Sequence, residues 1–94
     1  MIIKVKNLNG TSNNYPPDGF DSWLSWWENK KSKMANNCAN VNCDGTAEVG
    51  GHVKCINTNN NQWFITPLCK KCNNSSNDTE FFVSSNDLEP IINQ

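Results

Sequence analysis

Apolar residues along this chain fall in short runs that are separated by polar segments rich in Asn, Gly and Pro. Near the N-terminus, Ile3, Val5 and Leu8 approach the alternation that is typical of a β-strand. The segment from Asn9 to Gly19 contains two prolines and is predicted to be a loop. Close to the other end, residues 81–83 (Phe-Phe-Val) predict a last short strand, followed by an extended tail.

Two further runs predict a β-hairpin in the second half of the chain. Residues 49–56 and 62–66 read as strands, and the Thr-Asn-Asn-Asn segment between them (58–61) is a good turn sequence. Pro67 is predicted to end the second strand because proline cannot donate a ladder hydrogen bond. A short helix is predicted to follow, from Cys69 to about Ser75.

A tryptophan-rich segment between the first strand and the hairpin predicts an amphipathic helix. Asp21 and Ser22 are candidate caps, and the helix is expected to run to about Lys33. Helical spacing places four apolar residues on one face of this helix, namely Trp23, Leu24, Trp27 and Met34. We expect this face to be core rather than a stacking platform for a base or sugar, with Trp26 left at the surface.

Composition limits what such a chain can be. Ninety-four residues suffice for one domain, 1–94, but only 36% are hydrophobic and 18 are Asn. The net charge of −1 and the absence of Arg disfavour nucleic-acid binding. No run is long enough to span a membrane and no signal-peptide core is evident, so we expect no membrane association and a cytoplasmic location.

Four of the five cysteines form two close pairs, Cys38-x4-Cys43 and Cys69-x2-Cys72. Thiolates at such spacings can converge on one tetrahedral Zn²⁺, and a reducing location favours metal binding over disulfides. We therefore expect these four residues to bind a structural zinc ion that stabilises a small core. The fifth, Cys55, is expected to be a buried hydrophobe rather than a ligand.

The order of these features is also informative, because a cysteine knuckle, a hairpin and a cysteine pair opening a helix follow one another. This is the layout of a treble-clef zinc domain. The sequence thus predicts a small α+β fold, in which the tryptophan-bearing helix packs on a short antiparallel sheet around the zinc site.

Two segments, Gly51-His52-Val53 and the run from Pro67 to Asn73, resemble small bacterial treble-clef proteins of the HNH endonuclease family. The resemblance covers about residues 20–90 and implies an HNH-like ββα core. In the family, a His on the first hairpin strand activates water against a phosphodiester, and His52 matches that position. Asn73 matches the last catalytic position, beyond the fourth cysteine.

Two other positions depart from the family pattern. Gly51 stands where the family commonly has an Asp or His that helps to bind the catalytic metal. Phe64 stands where an Asn usually orients the base. A divalent metal beside only His52 and Asn73 would lack the hard oxygen ligands that Mg²⁺ prefers. His52 has two other possible roles, a hydrogen bond within the hairpin or a zinc ligand in place of a cysteine.

These observations favour a non-catalytic structural-zinc domain that binds a macromolecule, most readily a protein, as an adaptor or inhibitor-like module. One alternative is a divergent HNH endonuclease with His52 as general base. The other is a nucleic-acid-binding zinc module, which low charge and the absence of Arg disfavour.

Overall fold

The computed structural model describes residues 1–8, 15–56, 62–74 and 79–91, which form an antiparallel sheet of five strands with the order β4-β1-β2-β3-β5. The elements in chain order are β1 (Ile2–Asn7), α1 (Trp23–Lys31), β2 (Val49–Cys55), β3 (Trp63–Leu68), α2 (Lys70–Asn73), β4 (Glu80–Ser84), a 3-10 turn (Ser85–Asp87) and β5 (Glu89–Pro90). The α+β class and the packing of a tryptophan-bearing helix on an antiparallel sheet are confirmed.

The two faces of the sheet carry different cores, because successive side chains of a strand point to opposite faces. On one face, which we call the cysteine face, Val5, Val53 and Val83 pack with the cysteine-bearing segments. On the other, the helix face, Ile65 packs with the tryptophans of α1. Each core is therefore small, and the sheet is the layer that both share.

Helix α1 begins and ends at well-defined caps. The Ser22 hydroxyl accepts from the backbone N–H of Ser25, whose hydroxyl in turn accepts from the N–H of Ser22, so two donors at the helix start are satisfied. Ser32 adopts a left-handed conformation with φ of 56° and ends the helix. Gly50 lets α1 approach β2 closely, since a Cβ there would lie 2.7 Å from the backbone nitrogen of Leu24.

The tryptophans of α1 correct part of the sequence prediction. Trp27 is buried as expected, with 1% of its surface exposed, but Trp26 is buried as well and Trp23 only partly. Spacings of three and four residues put all three rings on one helix face, where Trp23 and Trp26 pack edge to face at 5.2 Å. Met34 lies beyond the cap at Ser32 and is exposed, so its assignment to the helical core was wrong.

Strands β1 to β4 agree with the predicted ones except at Pro67, which lies within β3 instead of ending it, and the tail predicted to be extended contains the unpredicted strand β5. Pro67 pairs with Gly50, and its carbonyl accepts from the N–H of Ala39, so its nitrogen points away from β2 and no ladder bond is lost. The predicted turn at 58–61 lies outside the described residues, as does part of the loop predicted at 9–19. In the part of the chain that is described, no helix has the length and apolar character needed to cross a membrane.

One edge of the sheet, strand β4, is partly covered by the loop between the first two cysteines. The backbone N–H of Val41 donates to the carbonyl oxygen of Phe82 at 2.9 Å. That carbonyl faces away from β1, because Phe82 lies opposite Lys4, whose own carbonyl accepts from Ile56 on the β2 side, so this pair is not hydrogen-bonded. The cysteine loop thus holds the edge as well as the centre of the cysteine face.

Candidate metal centre

The structure brings together the four cysteines that the sequence singled out. The Sγ atoms of Cys38, Cys43, Cys69 and Cys72 all lie within 4.8 Å of one another. Cys38 and Cys69 are buried, whereas Cys43 and Cys72 are partly exposed. The sulfurs of Cys43 and Cys69 lie 3.8 Å apart, well beyond the length of a disulfide bond, and all four residues carry free thiols.

The first pair sits on a tight knuckle that its own backbone closes. An isolated bridge joins Asn37 and Thr46, and inside it the N–H of Cys38 donates to the carbonyl of Gly45 at 2.9 Å. The N–H of Cys43 donates to the carbonyl of Asn40 at 3.0 Å, which forms the turn. Cys38 and Cys43 therefore point to the same side although four residues separate them.

Gly45 is needed in the knuckle because of a close approach. A Cβ at this position would lie 3.3 Å from Cys43 Sγ and 3.4 Å from Cys69 Cβ. A side chain would therefore crowd one sulfur of each pair. The absence of a side chain also lets the N–H of Gly45 reach Cys43 Sγ at 3.3 Å.

The second pair is placed by the first turn of α2. Cys69 is the N-cap, and its Sγ accepts from the backbone N–H of Cys72 at 3.4 Å. The turn is tied down from outside, since the N–H of Lys70 donates to a carboxylate oxygen of Glu48 and the buried Asn7 amide donates to the Cys72 carbonyl at 2.8 Å. The hairpin β2–β3 carries this turn back to the knuckle, where the N–H of Ala39 donates to Pro67.

Hydrogen bonds and burial act in opposite directions on these thiols. The N–H of Cys72 lowers the pKa of the Cys69 thiol, because that donor stabilises the thiolate. Burial raises the pKa of Cys38, and it raises the pKa of Cys72 to about 12, although the Asn40 amide donates to Cys72 Sγ at 3.6 Å. A bound cation would reverse this balance, since metal binding releases the protons of the ligating thiols.

The geometry and the donor set suit a metal ion and are consistent with zinc. A tetrahedral Zn²⁺ with Zn–S bonds of about 2.3 Å places its sulfurs about 3.8 Å apart, the separation seen between Cys43 and Cys69. The N–H groups directed at Cys43, Cys69 and Cys72 would share the negative charge of four thiolates. Protein sulfurs fill a tetrahedral shell, so such a site is structural rather than catalytic.

His52 and Asn73, the two residues that match the HNH pattern, are not brought together. His52 projects to the helix face, where its ring packs edge to face against Trp23 at 5.0 Å and Trp63 at 5.9 Å. Asn73 lies on the cysteine face, with its Oδ1 2.8 Å from where a Cβ of Gly51 would be. Because Gly51 and His52 are consecutive in β2, their side-chain directions are opposite. His52 therefore also cannot replace a cysteine at the metal centre.

The surroundings of His52 are apolar. Only 6% of its surface is exposed, and its Nε2 atom has no hydrogen-bond partner among the described residues. Burial lowers the pKa of His52 to about 4, so the ring is neutral at physiological pH. One role considered from the sequence was a hydrogen bond within the hairpin. Among the described residues, His52 Nε2 makes no such bond.

Three residues that support the metal centre were not found from the sequence, namely Asn7, Asn40 and Glu48. Asn7 lies 65 residues before its partner Cys72, and nothing local in the chain indicates that pairing. Asn40 could have been found, because an Asn between two knuckle cysteines is well placed to form a turn. Cys55 is buried in the core of the cysteine face and lies outside the four-cysteine group, as expected.

Compared with protein-family models, with curated proteins and with solved structures, the chain gives no match.

Proposed function

We propose that this chain is a non-catalytic domain of the treble-clef type, in which Cys38, Cys43, Cys69 and Cys72 bind one structural Zn²⁺ and the folded surface binds another protein. The convergence of four sulfurs carries the metal part of the proposal. Helix α2 contains no buried residue, and the knuckle buries only Cys38 and Ala39. A metal that joins them would supply the stability that so small a core lacks.

The relation to the HNH family is proposed at the level of the scaffold only. In that family a metal-binding side chain precedes the catalytic His, and here that position is Gly51. A Cβ on Gly51 would lie 2.5 Å from Leu68 and 2.8 Å from Asn73, so these side chains occupy the place of the missing ligand. With His52 on the opposite face of β2, no described residue pair is arranged to hold a catalytic metal beside a general base.

Protein binding is supported by the exposed apolar side chains at one end of the sheet. Four such side chains are at least 39% exposed, namely Met1 just before β1, Ile2 in β1, Phe82 in β4 and Val41 in the cysteine loop that adjoins β4. Apolar side chains that cluster at the surface are typical of sites that contact another macromolecule. The absence of Arg and the net charge of −1 favour a protein over a nucleic acid.

The metal part is tested by elemental analysis of protein that was purified without added metal. We expect near one equivalent of zinc, and we expect circular dichroism to show loss of the fold when a strong chelator removes it. Protein that is free of metal and still folded would contradict the proposal. Cys55→Ala is the matched control, since it removes a buried thiol of the same face without touching the cluster.

The nuclease alternative is tested by incubation with plasmid and single-stranded DNA in the presence of Mg²⁺, Mn²⁺ or Ni²⁺. We expect no cleavage. Cleavage that disappears in His52→Ala, while zinc content and fold are unchanged, would make the enzyme the better assignment. Cleavage that survives this substitution would indicate a contaminating nuclease.

The protein-binding part is tested by affinity capture from cells that make the protein, with mass spectrometry. We expect the zinc-loaded protein to retain one partner that Cys43→Ser loses, and the purified partner to bind directly in calorimetry. If the folded protein retains no protein above background, the adaptor assignment is wrong, whereas the zinc assignment is unaffected.

A further inference from the structure

A groove beside the metal centre reaches one of the two cysteine pairs. Its volume is about 520 Å³, and it is lined by residues 33–41 together with Trp27, Cys43, Pro67 and Asp87. It therefore runs from the segment that follows α1 to the knuckle. Among the described cysteines, the lining includes both members of the first pair and neither member of the second. A small molecule that enters the groove meets the knuckle and not the turn of α2.

The two knuckle cysteines differ in accessibility. Cys38 is buried with 6% of its surface exposed, whereas Cys43 is partly exposed. Accessible thiolates are the cysteines that react as nucleophiles, and buried ones are protected. The N–H of Gly45 donates to Cys43 Sγ at 3.3 Å and would stabilise its negative charge. Cys43 therefore combines a thiolate, exposure and a route of approach.

A second thiol lies in contact with Cys43. The Sγ atom of Cys69 is 3.8 Å from Cys43 Sγ. Both side chains also lie against Gly45, since a Cβ there would be 3.3 Å from Cys43 Sγ and 3.4 Å from Cys69 Cβ. A disulfide between them would require the sulfurs to approach by about 2 Å, to the S–S length of about 2.05 Å. Oxidised Cys43 would therefore have a partner close at hand.

We propose that Cys43 is a redox modification site, at which small hydroperoxides release the metal. The Cys43 thiolate attacks one oxygen of hydrogen peroxide, so that an S–O bond forms, the O–O bond breaks and hydroxide leaves. The Cys69 thiolate then attacks the sulfenic sulfur, which forms the disulfide and expels a second hydroxide. Two protons from solvent convert the hydroxides to water. The peroxide gains two electrons, and the two sulfurs lose them.

The disulfide removes half of the ligands. Cys38 and Cys72 remain, and two sulfurs cannot fill the tetrahedral shell of a structural zinc ion. Reduction of the disulfide returns all four thiols, so the change is reversible when zinc is supplied. This inference rests on the proposed zinc centre and names the chemistry that regulates it.

The loop that carries Cys43 joins two strands that are not neighbours in the sheet. The N–H of Ala39 donates to the carbonyl of Pro67 in β3 at 2.7 Å, and the N–H of Val41 donates to the carbonyl of Phe82 in β4 at 2.9 Å. Val41 also belongs to the exposed apolar group for which protein binding is proposed. Oxidation of Cys43 would therefore loosen a segment of the proposed binding surface only two residues away.

Hydroperoxides fit this route better than bulky disulfides. Asn36, Asn37 and Asn40 are among the lining residues, and amide groups donate and accept hydrogen bonds, as hydrogen peroxide does. A tripeptide disulfide such as glutathione disulfide must instead bring its S–S bond into line with a sulfur that is only partly exposed. We therefore expect a small, uncharged oxidant to react faster.

The test uses the zinc-loaded full chain and hydrogen peroxide, with a chromophoric chelator that reports the release of zinc. Limited oxidation is followed by alkylation of the remaining thiols and by peptide mass spectrometry. We expect the first product to contain a disulfide between Cys43 and Cys69, with the buried Cys55 still reduced. A reductant added with zinc should restore the original circular dichroism spectrum. Glutathione disulfide at the same concentration should release zinc more slowly.

Two variants with the same set of ligands separate Cys43 from general zinc chemistry. Cys43→His and Cys72→His both leave three thiolates and one imidazole, an ordinary zinc ligand. Cys43→His should slow the release of zinc by peroxide about tenfold, whereas Cys72→His should stay within about twofold of the original protein. If either variant binds no zinc, the disulfide map of the original protein decides.

A second pair of variants tests the groove. Val41→Trp narrows it and keeps the backbone N–H, so it should slow the release of zinc about threefold. Thr46→Trp is the control, because Thr46 is an exposed knuckle residue that does not line the groove. We expect this control to release zinc at the rate of the original protein.

Release of zinc that depends on Cys43, with a first disulfide that contains Cys43, supports the inference. Zinc-loaded protein that resists peroxide, a first disulfide between Cys69 and Cys72, or equal rates in the two His variants would overturn it. Faster release by glutathione disulfide than by peroxide would also overturn it, because the class of oxidant would be wrong. These results leave the zinc assignment intact, whereas protein that is folded without metal contradicts the zinc assignment and this inference together.

Discussion

The two faces of the sheet are held by different kinds of interaction. On the cysteine face, two short segments with little apolar surface meet at four sulfurs, and hydrogen bonds fix their backbone turns. On the helix face, α1 packs aromatic rings against Ile65 and His52, and one indole donates to the backbone, from Trp27 to the carbonyl of Asp87. The junction of the two cysteine segments depends on directional bonds to a few atoms, whereas the packing of α1 depends on buried area.

This difference teaches how a chain with few apolar residues can form a sheet that is covered on both sides. Aromatic rings bury a large area per residue, so one short helix suffices for the helix face. On the cysteine face the strands bury Val5, Val53 and Val83, and four ligands can join to this core two segments that burial alone would not hold. As a result, we expect the stability of the cysteine segments to depend on bound metal, and the stability of the helix face to depend on the volume of its buried side chains.

The largest expected effect is on the cysteine face. Cys43→Ser should abolish the fold, because structural zinc contributes about 10–16 kcal/mol of apparent binding free energy in small domains, more than the usual net stability. Cys55→Ala should cost only about 1 kcal/mol. The measurements are zinc content and thermal unfolding followed by circular dichroism. A Cys43→Ser protein that unfolds at the same temperature as the original would show that the cluster is not needed.

The next effect concerns the helix face. Trp27→Ala should cost about 3–5 kcal/mol, because it opens a cavity in a core that contains few other residues. Met34→Ala should stay within about 0.5 kcal/mol, since this side chain is 70% exposed. Urea unfolding of the zinc-loaded proteins gives both values. If Trp27→Ala keeps its stability, the rings of α1 do not form the core described above.

A third effect depends on pH and again belongs to the helix face. The pKa of His52 is lowered to about 4 by burial, below its ordinary value of 6.5, so the unfolded chain binds a proton more readily than the folded one. Its contribution to stability is full above about pH 6.5 and falls as the pH approaches 4, by about 3 kcal/mol in total.

His52→Phe separates this contribution from the protonation of the cysteines, which weakens metal binding at low pH in either protein. The variant should lose less stability than the original between pH 6.5 and pH 5, when both contain zinc. Lys54 is the nearest charged residue along β2, and Glu89 lies across β3 beside Ile65, so both proteins keep the same charged neighbours. Parallel pH profiles would mean that His52 is not buried in its neutral form.

The smallest pair of effects compares the faces directly through two glycines. Gly50→Ala should destabilise α1 by about 1–3 kcal/mol, because the new Cβ would meet helix backbone, and should leave zinc affinity unchanged. Gly45→Ala should leave the packing of α1 unchanged and weaken zinc binding about tenfold, because the new Cβ would crowd Cys43 and Cys69. Competition with a chromophoric chelator measures the affinity. If both variants change both properties, the two faces are not independent.

Local features of the sequence predicted the cysteine face well. The two cysteine pairs have ligand spacing, and the strands between them are apolar runs with a turn sequence, so their order could be read without long-range information. The position of Pro67 was missed, because whether a proline disturbs a strand depends on which side its nitrogen faces. The metal, the treble-clef assignment and the HNH resemblance remain predictions.

The helix face was harder to predict, because it depends on contacts between distant parts of the chain. Trp26 was assigned to the surface because the apolar stripe was drawn through Leu24, and only the packing against β2 and β3 shows which stripe is inward. The sequence does not show whether His52 and the cysteines lie on the same face of the sheet, because a shift of the strand register by one residue moves a side chain to the other face. The pairing of β1 with β4 likewise has no local signal.

The bond from the Val41 N–H to the Phe82 carbonyl links the metal centre to the solubility of the protein. While the cysteine loop is held in place, it occupies part of the backbone edge of β4. Release of the metal would free the loop and expose a strand with Phe81, Phe82 and Val83 to strands of other molecules, the usual route to ordered aggregates. The same cation that completes the fold would thus keep the molecules apart.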